Sequence, residues 1–351
     1  MVMKKSTIII VIIAVGLLAV GALLGGQTAS PEGDEPIDDN VDNVTPDPPQ
    51  STQEPNRIGV SFSPKHYNTS DFVAFFPKAE EAGGVLTWAG DWDQVGGNGT
   101  TTYTISMLSE PYELETIMIA TYFHQDSGEL VRLLDNDTRQ KYLEKAVQYL
   151  SIFKPDYFGL GIEINAFWME NPVGYQEFAE YFNSIYPVLK NASEDTKIFT
   201  VFQLERMKGL HGGLFGGENS DSLSQWELLD DFQIADAYAF TTYPCLIHKD
   251  PADIPGDYFT EILNHTLKEL LITEIGWIRV GPEGWESDEH EQAEFIHRFF
   301  ELTEPLNVSK CIWSFLYDQE TQYPFSKMGL LDVNEENTAP WDAWLSEIGE
   351  K

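Results

Sequence analysis

The sequence predicts a (β/α)8 barrel over residues 57–351, and three observations carry that prediction. Short apolar runs rich in Ile, Val, Phe and Tyr recur along this region and indicate buried strands. Stretches with helical periodicity separate several of these runs. The region is also long enough for one barrel, which typically takes about 250 residues. A doubly wound sheet is disfavoured, because Ser61-Phe62-Ser63-Pro64 follows the first strand where a glycine-rich phosphate turn would be expected.

Eight apolar runs are predicted as the strands of the barrel. They are Ile58–Ser63, Gly84–Trp88, Thr116–Phe123, Tyr157–Ile164, Ile198–Leu204, Ala237–Tyr243, Leu270–Ile275 and Cys311–Leu316. Between strands, apolar residues recur on one helical face in two places. These are Phe178, Phe182, Ile185 and Leu189 in the first, and Phe295, Phe299 and Leu302 in the second.

Residues 1–26 are predicted to be a transmembrane anchor or a signal segment. Lys4 and Lys5 precede an apolar stretch, residues 6–24, that is close to the length of about 20 residues needed to span a bilayer. Lysines before such a stretch favour an N-terminus inside and the following chain outside. A retained anchor and a signal cleaved near Ala29 both remain open. Either one places the barrel at the cell surface or in the medium.

Residues 27–56 are predicted to be an acidic, proline-rich linker. They contain eight acids, six prolines and no Lys or Arg, and such a segment cannot bury enough apolar surface to fold. An external location agrees with the glycosylation sequons that follow. The sequon asparagines are Asn43, Asn68, Asn98, Asn136, Asn191, Asn264 and Asn307.

The net charge of the chain is −36. Because residues 1–26 contribute +2 and residues 27–56 contribute −8, the predicted barrel carries −30. Nucleic acid is therefore excluded as a partner, since phosphate binding needs Lys and Arg. We expect a monomer, and we interpret its acidic surface as a means of keeping it soluble.

Two carboxylates follow apolar strands at widely separated positions. Glu163 comes near the end of the fourth predicted strand, and Glu274 near the end of the seventh. A carboxylate at the end of a buried strand is costly unless its charge is used or paired. Barrel active sites lie at the C-terminal ends of strands, so both side chains should face one cleft. A pair of carboxylates with different pKa values is what the hydrolysis of a glycosidic bond requires.

The motifs around these glutamates resemble those of the clan of retaining β-glycosidases with a (β/α)8 barrel. Within that clan the sequence is most similar to endo-β-1,4-galactanase-like enzymes. The resemblance rests on Thr273-Glu274-Ile275-Gly276-Trp277, which matches the nucleophile strand, and on Glu163, which matches the acid/base position. It implies a β-linked glycan as substrate, Glu163 as acid/base and Glu274 as nucleophile. Structural salt bridges are the alternative role for both.

One residue departs from the pattern of that clan. The asparagine that normally precedes the acid/base and contacts the sugar 2-hydroxyl is replaced by Ile162. Either Asn165 or another side chain supplies that contact, or activity is reduced or lost. A cell-surface barrel that binds glycan without cleaving it therefore stands as the alternative function.

Two further roles are implied by the same resemblance. Tyr243, in Thr242-Tyr243-Pro244, is in the position of a tyrosine that orients the nucleophile and keeps it ionised. Trp313, on the eighth strand, is in the position of the indole beneath the sugar next to the scissile bond. A rim tyrosine and a core tryptophan are the structural alternatives.

Other residues at predicted strand ends are candidates on their chemistry alone. Indole faces stack on sugar C–H surfaces, which points to Trp88 and Trp277, with Trp92 and Trp168 nearby. His124, Gln203 and Glu205 are candidates to bind hydroxyl groups. The sequence contains no HxH or HExxH spacing, so neither a metal centre nor another cofactor is expected, which disfavours a metal-dependent hydrolase.

Overall fold

The computed structural model describes residues 57–125, 127–336 and 338–349. Within them, eight parallel strands form a closed barrel in chain order, and the first pairs with the last. The strands β1 to β8 are Ile58–Ser61, Val85–Asp91, Glu115–Thr121, Tyr157–Leu160, Lys197–Gln203, Ala237–Thr242, Glu269–Ile275 and Val308–Trp313. All eight predicted strands are thus confirmed. Their ends differ by up to four residues, most of all in β4.

The helices pack around the barrel with their apolar faces inward. In chain order α1 to α8 are Thr69–Glu81, Thr101–Ser109, Asn136–Phe153, Ile164–Glu170, Pro172–Ala192, Leu204–Met207, Glu289–Thr303 and Ala339–Gly349. Both apolar faces predicted from periodicity are confirmed, because their residues on α5 and α7 are buried against the barrel. Short 3₁₀ segments connect the rest. They are Trp92–Gln94, Glu110–Tyr112, Gly213–Phe215, Asp221–Leu223, Trp226–Phe232, Pro244–Leu246, Pro251–Asp253, Thr260–Asn264 and Phe325–Lys327.

The connections after β5 and β6 depart from the regular alternation of strand and helix. Residues 204–236 contain only the single turn α6 and 3₁₀ segments, and residues 243–268 contain only 3₁₀ segments. Glycines at 209, 212, 213, 216 and 217 and prolines at 244, 251 and 255 account for this, since neither residue type favours a helix interior. The result is irregular backbone on the C-terminal side of two neighbouring strands.

The barrel interior is filled with side chains, and charges close its N-terminal end. The interior cluster includes Val85, Ile117, Phe199, Leu271 and Ile312. Below it, one ion pair joins Lys197 to Glu269 at 2.6 Å, and another joins Lys310 to Glu115 at 2.5 Å. A cavity of about 510 Å³ lies beside these ion pairs, lined by Tyr157, Lys197, Glu269 and Lys310. Active sites of (β/α)8 barrels lie at the opposite, C-terminal end, where the predicted site residues are found.

The predicted anchor (residues 6–24) and linker (residues 27–56) lie outside the described residues. Among the residues that are described, no helix combines the length and apolarity needed to cross a bilayer. Six of the seven sequon asparagines fall in the described part, and all six are exposed. Their accessibility meets a requirement for glycosylation, while their occupancy stays a prediction.

Candidate active site

A bulge near the end of β7 turns Glu274 toward the barrel axis. Leu271 points into the barrel, so strict alternation along the strand would point Glu274 outward. The register shifts between Phe240 and Thr241 of β6: Phe240 pairs with Ile272, whereas Thr241 pairs with Glu274. The extra residue, Thr273, reverses the alternation. Glu274 consequently lies partly exposed at the C-terminal mouth of the barrel.

Glu163 is positioned by left-handed backbone conformations directly after β4. β4 ends at Leu160, and Gly161 follows with φ of 76°. Ile162 then packs into the barrel interior, fully buried, so it does not face a substrate. Glu163 itself has φ of 50° and ψ of 45° and caps the start of α4. A left-handed backbone costs a non-glycine residue on the order of 1–3 kcal/mol, and such strain is concentrated at functional sites.

The end of β6 holds both carboxylates. The Thr241 hydroxyl donates a hydrogen bond to Glu163 Oε1 at 2.7 Å. Two residues later, the Tyr243 hydroxyl donates to Glu274 Oε2 and accepts from Ser314 Oγ at 3.1 Å. Because Thr241 is also the register partner of Glu274, both glutamates lie beside this one β6 residue. This geometry brings Glu163, Glu274 and Tyr243 together, as the sequence predicts.

Burial raises the pKa of both carboxyls, to about 7 for Glu163 and about 8 for Glu274. The charge of Glu163 raises the pKa of Glu274 further, and the hydrogen bond from Tyr243 lowers it. Interacting carboxyls lose their protons in two steps that belong to the pair, so between those values the pair holds one proton and one negative charge. Such a pair can act as an acid and a nucleophile.

We predict that Glu163→Gln stabilises the protein at pH 8 but not at pH 4. The folded-state pKa of about 7 lies above the ordinary value of 4.5, so above pH 4.5 an unfolded chain ionises this carboxyl more readily than the folded protein does. The folded protein therefore loses stability between pH 4.5 and about pH 7, and above about pH 7 this loss no longer increases. Glutamine keeps the oxygen that accepts from Thr241 and removes this loss.

Thermal unfolding at both pH values measures this effect. We expect Tm to rise by about 2–4 °C at pH 8 and to stay unchanged at pH 4. Glu177→Gln, on the exposed side of α5, is the matched control and should shift Tm at neither pH. An equal rise at both pH values would show that packing, rather than ionisation, is responsible.

Asn165 and Gln203 do not reach the cleft, contrary to their predicted roles in binding sugar hydroxyls. Both side chains are fully buried. Asn165 donates to the Gln203 carbonyl oxygen at 3.0 Å and accepts from the Gln203 amide N–H at 2.8 Å. The side chain of Gln203 donates to Glu205 and accepts from the Arg206 amide N–H at 2.8 Å. Their hydrogen-bonding groups fasten α4 and α6 to the end of β5.

Glu205 is likewise committed to the protein. It is fully buried and accepts hydrogen bonds from the Thr242 hydroxyl at 2.8 Å, the Tyr243 amide at 3.0 Å and the Tyr258 hydroxyl at 2.9 Å. Its burial raises the pKa of this carboxyl. Through the Tyr243 amide, Glu205 sets the backbone that carries the tyrosine hydroxyl to Glu274. It is a positioning residue rather than a hydroxyl ligand.

Trp313, Trp277 and Trp88, which were predicted to line the cleft, are core residues, as is Trp92, whereas Trp168 is half-buried. Trp313 is fully buried, donates to the Met328 carbonyl oxygen at 2.8 Å and packs against Trp344 with ring centroids 5.8 Å apart. Trp277 is 1% exposed and stacks on Phe295 at 4.9 Å. Trp88 is on the outer face of β2, opposite the inward-facing Thr87 and Ala89. Their indoles are bulky apolar groups that fill the layer between barrel and helices.

His124 is exposed on the loop after β3, where a substrate has access to it.

Several residues of the cleft were not predicted. Thr241 is fully buried near the end of β6 and has no sequence signal apart from its strand position. Arg206 follows β5 and is half-buried. Trp285, in the glycine-rich loop after β7, is half-buried and donates to the Cys245 carbonyl oxygen at 2.6 Å. Sequence reasoning can find Trp285 only by extending the search for indoles from strand ends to loops.

No family model and no curated protein sequence matches the chain. Solved structures do resemble it. Xylanase 10B from Thermotoga maritima superposes with a TM-score of 0.56 at 15% identity, covering 84% of this chain and 97% of the xylanase. A β-glucosidase from Exiguobacterium marinum gives a TM-score of 0.55 at 12% identity, covering 80% and 87% respectively.

A third structure is the GH53 catalytic domain of Ignisphaera aggregans, with a TM-score of 0.54 at 12% identity, covering 82% of this chain and 94% of that one. At such low identity a likeness speaks for architecture and not for activity. The predicted resemblance is therefore confirmed in fold, and a specific likeness to galactanases is weak. The chain contains the (β/α)8 barrel that these glycoside hydrolases share.

Proposed function

We propose that the protein hydrolyses β-glycosidic bonds with retention of configuration, using Glu274 as nucleophile and Glu163 as acid/base. The observation that carries the proposal is a pair of carboxylates at the C-terminal end of the barrel: Glu163 after β4 and Glu274 near the end of β7, each hydrogen-bonded to a residue at the end of β6. A carboxylate separation of about 5–5.5 Å is typical of retaining enzymes, and attachment to one short segment suits such a close pair. The structural relatives named above include a xylanase and a β-glucosidase.

The proposed reaction has two steps. Glu274 attacks the anomeric carbon while Glu163 donates its proton to the departing oxygen, which leaves as an alcohol. A water then attacks the glycosyl ester, and Glu163 takes the proton of that water, which restores both side chains. Tyr243 supports the ionised nucleophile through its hydrogen bond.

The proposal is tested by screening the full-length chain against β-linked polysaccharides and aryl β-glycosides. We expect release of reducing ends or aryl alcohol, with a first-formed sugar of β configuration by proton NMR. Glu274→Gln is the control for contaminating enzymes. An initial product of α configuration would overturn the retaining mechanism.

The second candidate function is glycan binding without cleavage. Ile162 favours it, because this side chain is buried where the related clan has a sugar-binding asparagine, and Asn165 does not replace it. Binding of a β-glycan by both wild-type protein and Glu274→Gln, with no cleavage by either, would establish this function instead.

We also propose that the barrel works outside the cell, held by residues 6–24 or released if that segment is cleaved. The apolar run, the acidic linker and the sequons support this placement. Protease added to intact cells should then release the domain by cutting within residues 27–56.

A further inference from the structure

Arg206 is placed at the rim of the candidate active site without an acidic partner. It belongs to α6, directly after β5, and Gln203 Oε1 accepts from its amide N–H at 2.8 Å. Its guanidinium Nη1 is 3.1 Å from Met169 Sδ, and its guanidinium carbon is 5.3 Å from the Phe215 ring centroid. Among the described residues, no carboxylate oxygen forms an ion pair with it at 4.0 Å or less.

Among the described residues Arg57 likewise has no ion pair of this length, whereas the other four arginines do. Arg132, Arg139, Arg279 and Arg298 each have a carboxylate within 4.0 Å. Arg206 is half-buried, and its burial lowers the pKa of the guanidinium. The charges of Glu163, Glu170 and Glu205 partly compensate this burial, but none of these carboxylates pairs with Arg206 directly. The guanidinium is therefore free to form a direct ion pair with a ligand anion.

Arg206 is close to the proposed acid/base. Its neighbour Met169 lies six residues after Glu163, and six residues of α4 span about 9 Å. The charge of Arg206 also lowers the pKa of Glu163. The guanidinium is therefore within about one or two sugar units of the atoms that would react.

The loop after α6 adds a polar group and apolar surface beside Arg206. His211 is half-buried, and its Nε2 has no hydrogen-bond partner among the described residues. Burial and the charge of Arg206 lower the pKa of this imidazole, so it is neutral at pH 7. Trp285, in the loop after β7, packs against Gly213, which is in the same loop as His211. A Cβ atom placed on Gly213 would lie 3.0 Å from Trp285 Cη2. Arg206 covers one face of Phe215, and Lys249 Nζ is 5.1 Å from the ring centroid of Trp285. The opposite ring faces are apolar surface for sugar C–H groups.

We propose that Arg206, His211 and Phe215 form a subsite for a uronic acid unit of the glycan. The planar guanidinium pairs with the sugar carboxylate through two parallel hydrogen bonds, and the neutral imidazole binds a neighbouring hydroxyl. This inference rests on the proposed function, because it names a substrate class for the same cleft. The net charge of −36 repels a densely charged polyuronate, so the favoured ligand is an otherwise neutral β-glycan with occasional uronic acids.

The test uses a β-linked oligosaccharide carrying one glucuronic acid and its carboxyl-reduced counterpart. For each full-length variant, the ratio of kcat/KM on the acidic substrate to kcat/KM on the reduced one is measured. Wild-type protein should favour the acidic substrate, and Arg206→Gln should lower the ratio by about 10- to 100-fold. Arg206→Lys should restore part of it, because lysine keeps the charge without the fork.

Arg298→Gln is the matched control, since Arg298 forms an exposed ion pair with Glu301 on α7, and it should leave the ratio unchanged. A wild-type ratio near 1, or an Arg206→Gln variant with the wild-type ratio, would overturn the subsite. A preference for a sulfated analogue over the uronic acid would overturn its assignment to carboxylate.

Calorimetric titration of both oligosaccharides into Glu274→Gln, with and without Arg206→Gln, separates this inference from the proposed function. If wild-type protein cleaves neither substrate, the hydrolytic function fails. A carboxylate-dependent affinity that Arg206→Gln removes would still support the subsite. Equal affinities for the acidic and reduced ligands would reject it.

Discussion

Glu274→Ala should abolish turnover of every β-glycoside that the protein cleaves, with a loss on the order of 10⁴-fold or more in kcat. The carboxylate is proposed to form the glycosyl ester, and no neighbouring group can replace it. Glu205, a buried carboxylate on α6, is occupied by hydroxyl and amide donors. Activated leaving groups should not rescue the variant, because the missing step is the attack itself.

Chemical rescue defines the role of Glu274 more closely. Truncation to alanine leaves space beside Tyr243, where added azide can attack the anomeric carbon directly. The product should be an α-glycosyl azide, since a single displacement inverts the configuration. Glu301→Ala, at an exposed position on α7, should keep wild-type turnover. Wild-type turnover by Glu274→Ala, or a β-glycosyl azide as its product, would contradict the assignment.

The barrel could be predicted because its signals are local. Buried parallel strands are apolar runs, and the helices α5 and α7 repeat their apolar residues with the helical period. The boundary of β4 was less predictable. Gly161, with its positive φ, ends the strand inside an apolar run that continues without a break in sequence.

Site residues could be predicted from the sequence where their residue type is rare in a buried strand, and could not be predicted where that type is also common in a protein core. A glutamate in an apolar strand stands out, so Glu163 and Glu274 could be found. The bulge at Thr273, which decides where Glu274 points, has no sequence signature, since it follows from pairing with β6. Indoles and amides suit a sugar cleft and a protein core equally well, and only three-dimensional contacts assign Trp313 and Asn165 to the core.

Glu163→Ala should slow the cleavage of natural substrates by about 10²- to 10⁴-fold, the usual contribution of a general acid. An aryl glycoside with an acidic phenol should be affected much less in its first step, because that leaving group departs without a proton. The variant also lacks the base that activates water. The glycosyl ester on Glu274 should therefore accumulate, and intact-mass spectrometry of the quenched protein should detect it as a sugar adduct.

Azide should accelerate this variant and produce a β-glycosyl azide, because it attacks the glycosyl ester without needing a base and inverts the configuration a second time. Glu177→Ala, on the exposed side of α5, should behave as wild type with every leaving group. A loss that is equal for natural and activated substrates would mean that Glu163 is not the acid. An inverted azide product would assign the nucleophile to Glu163 instead.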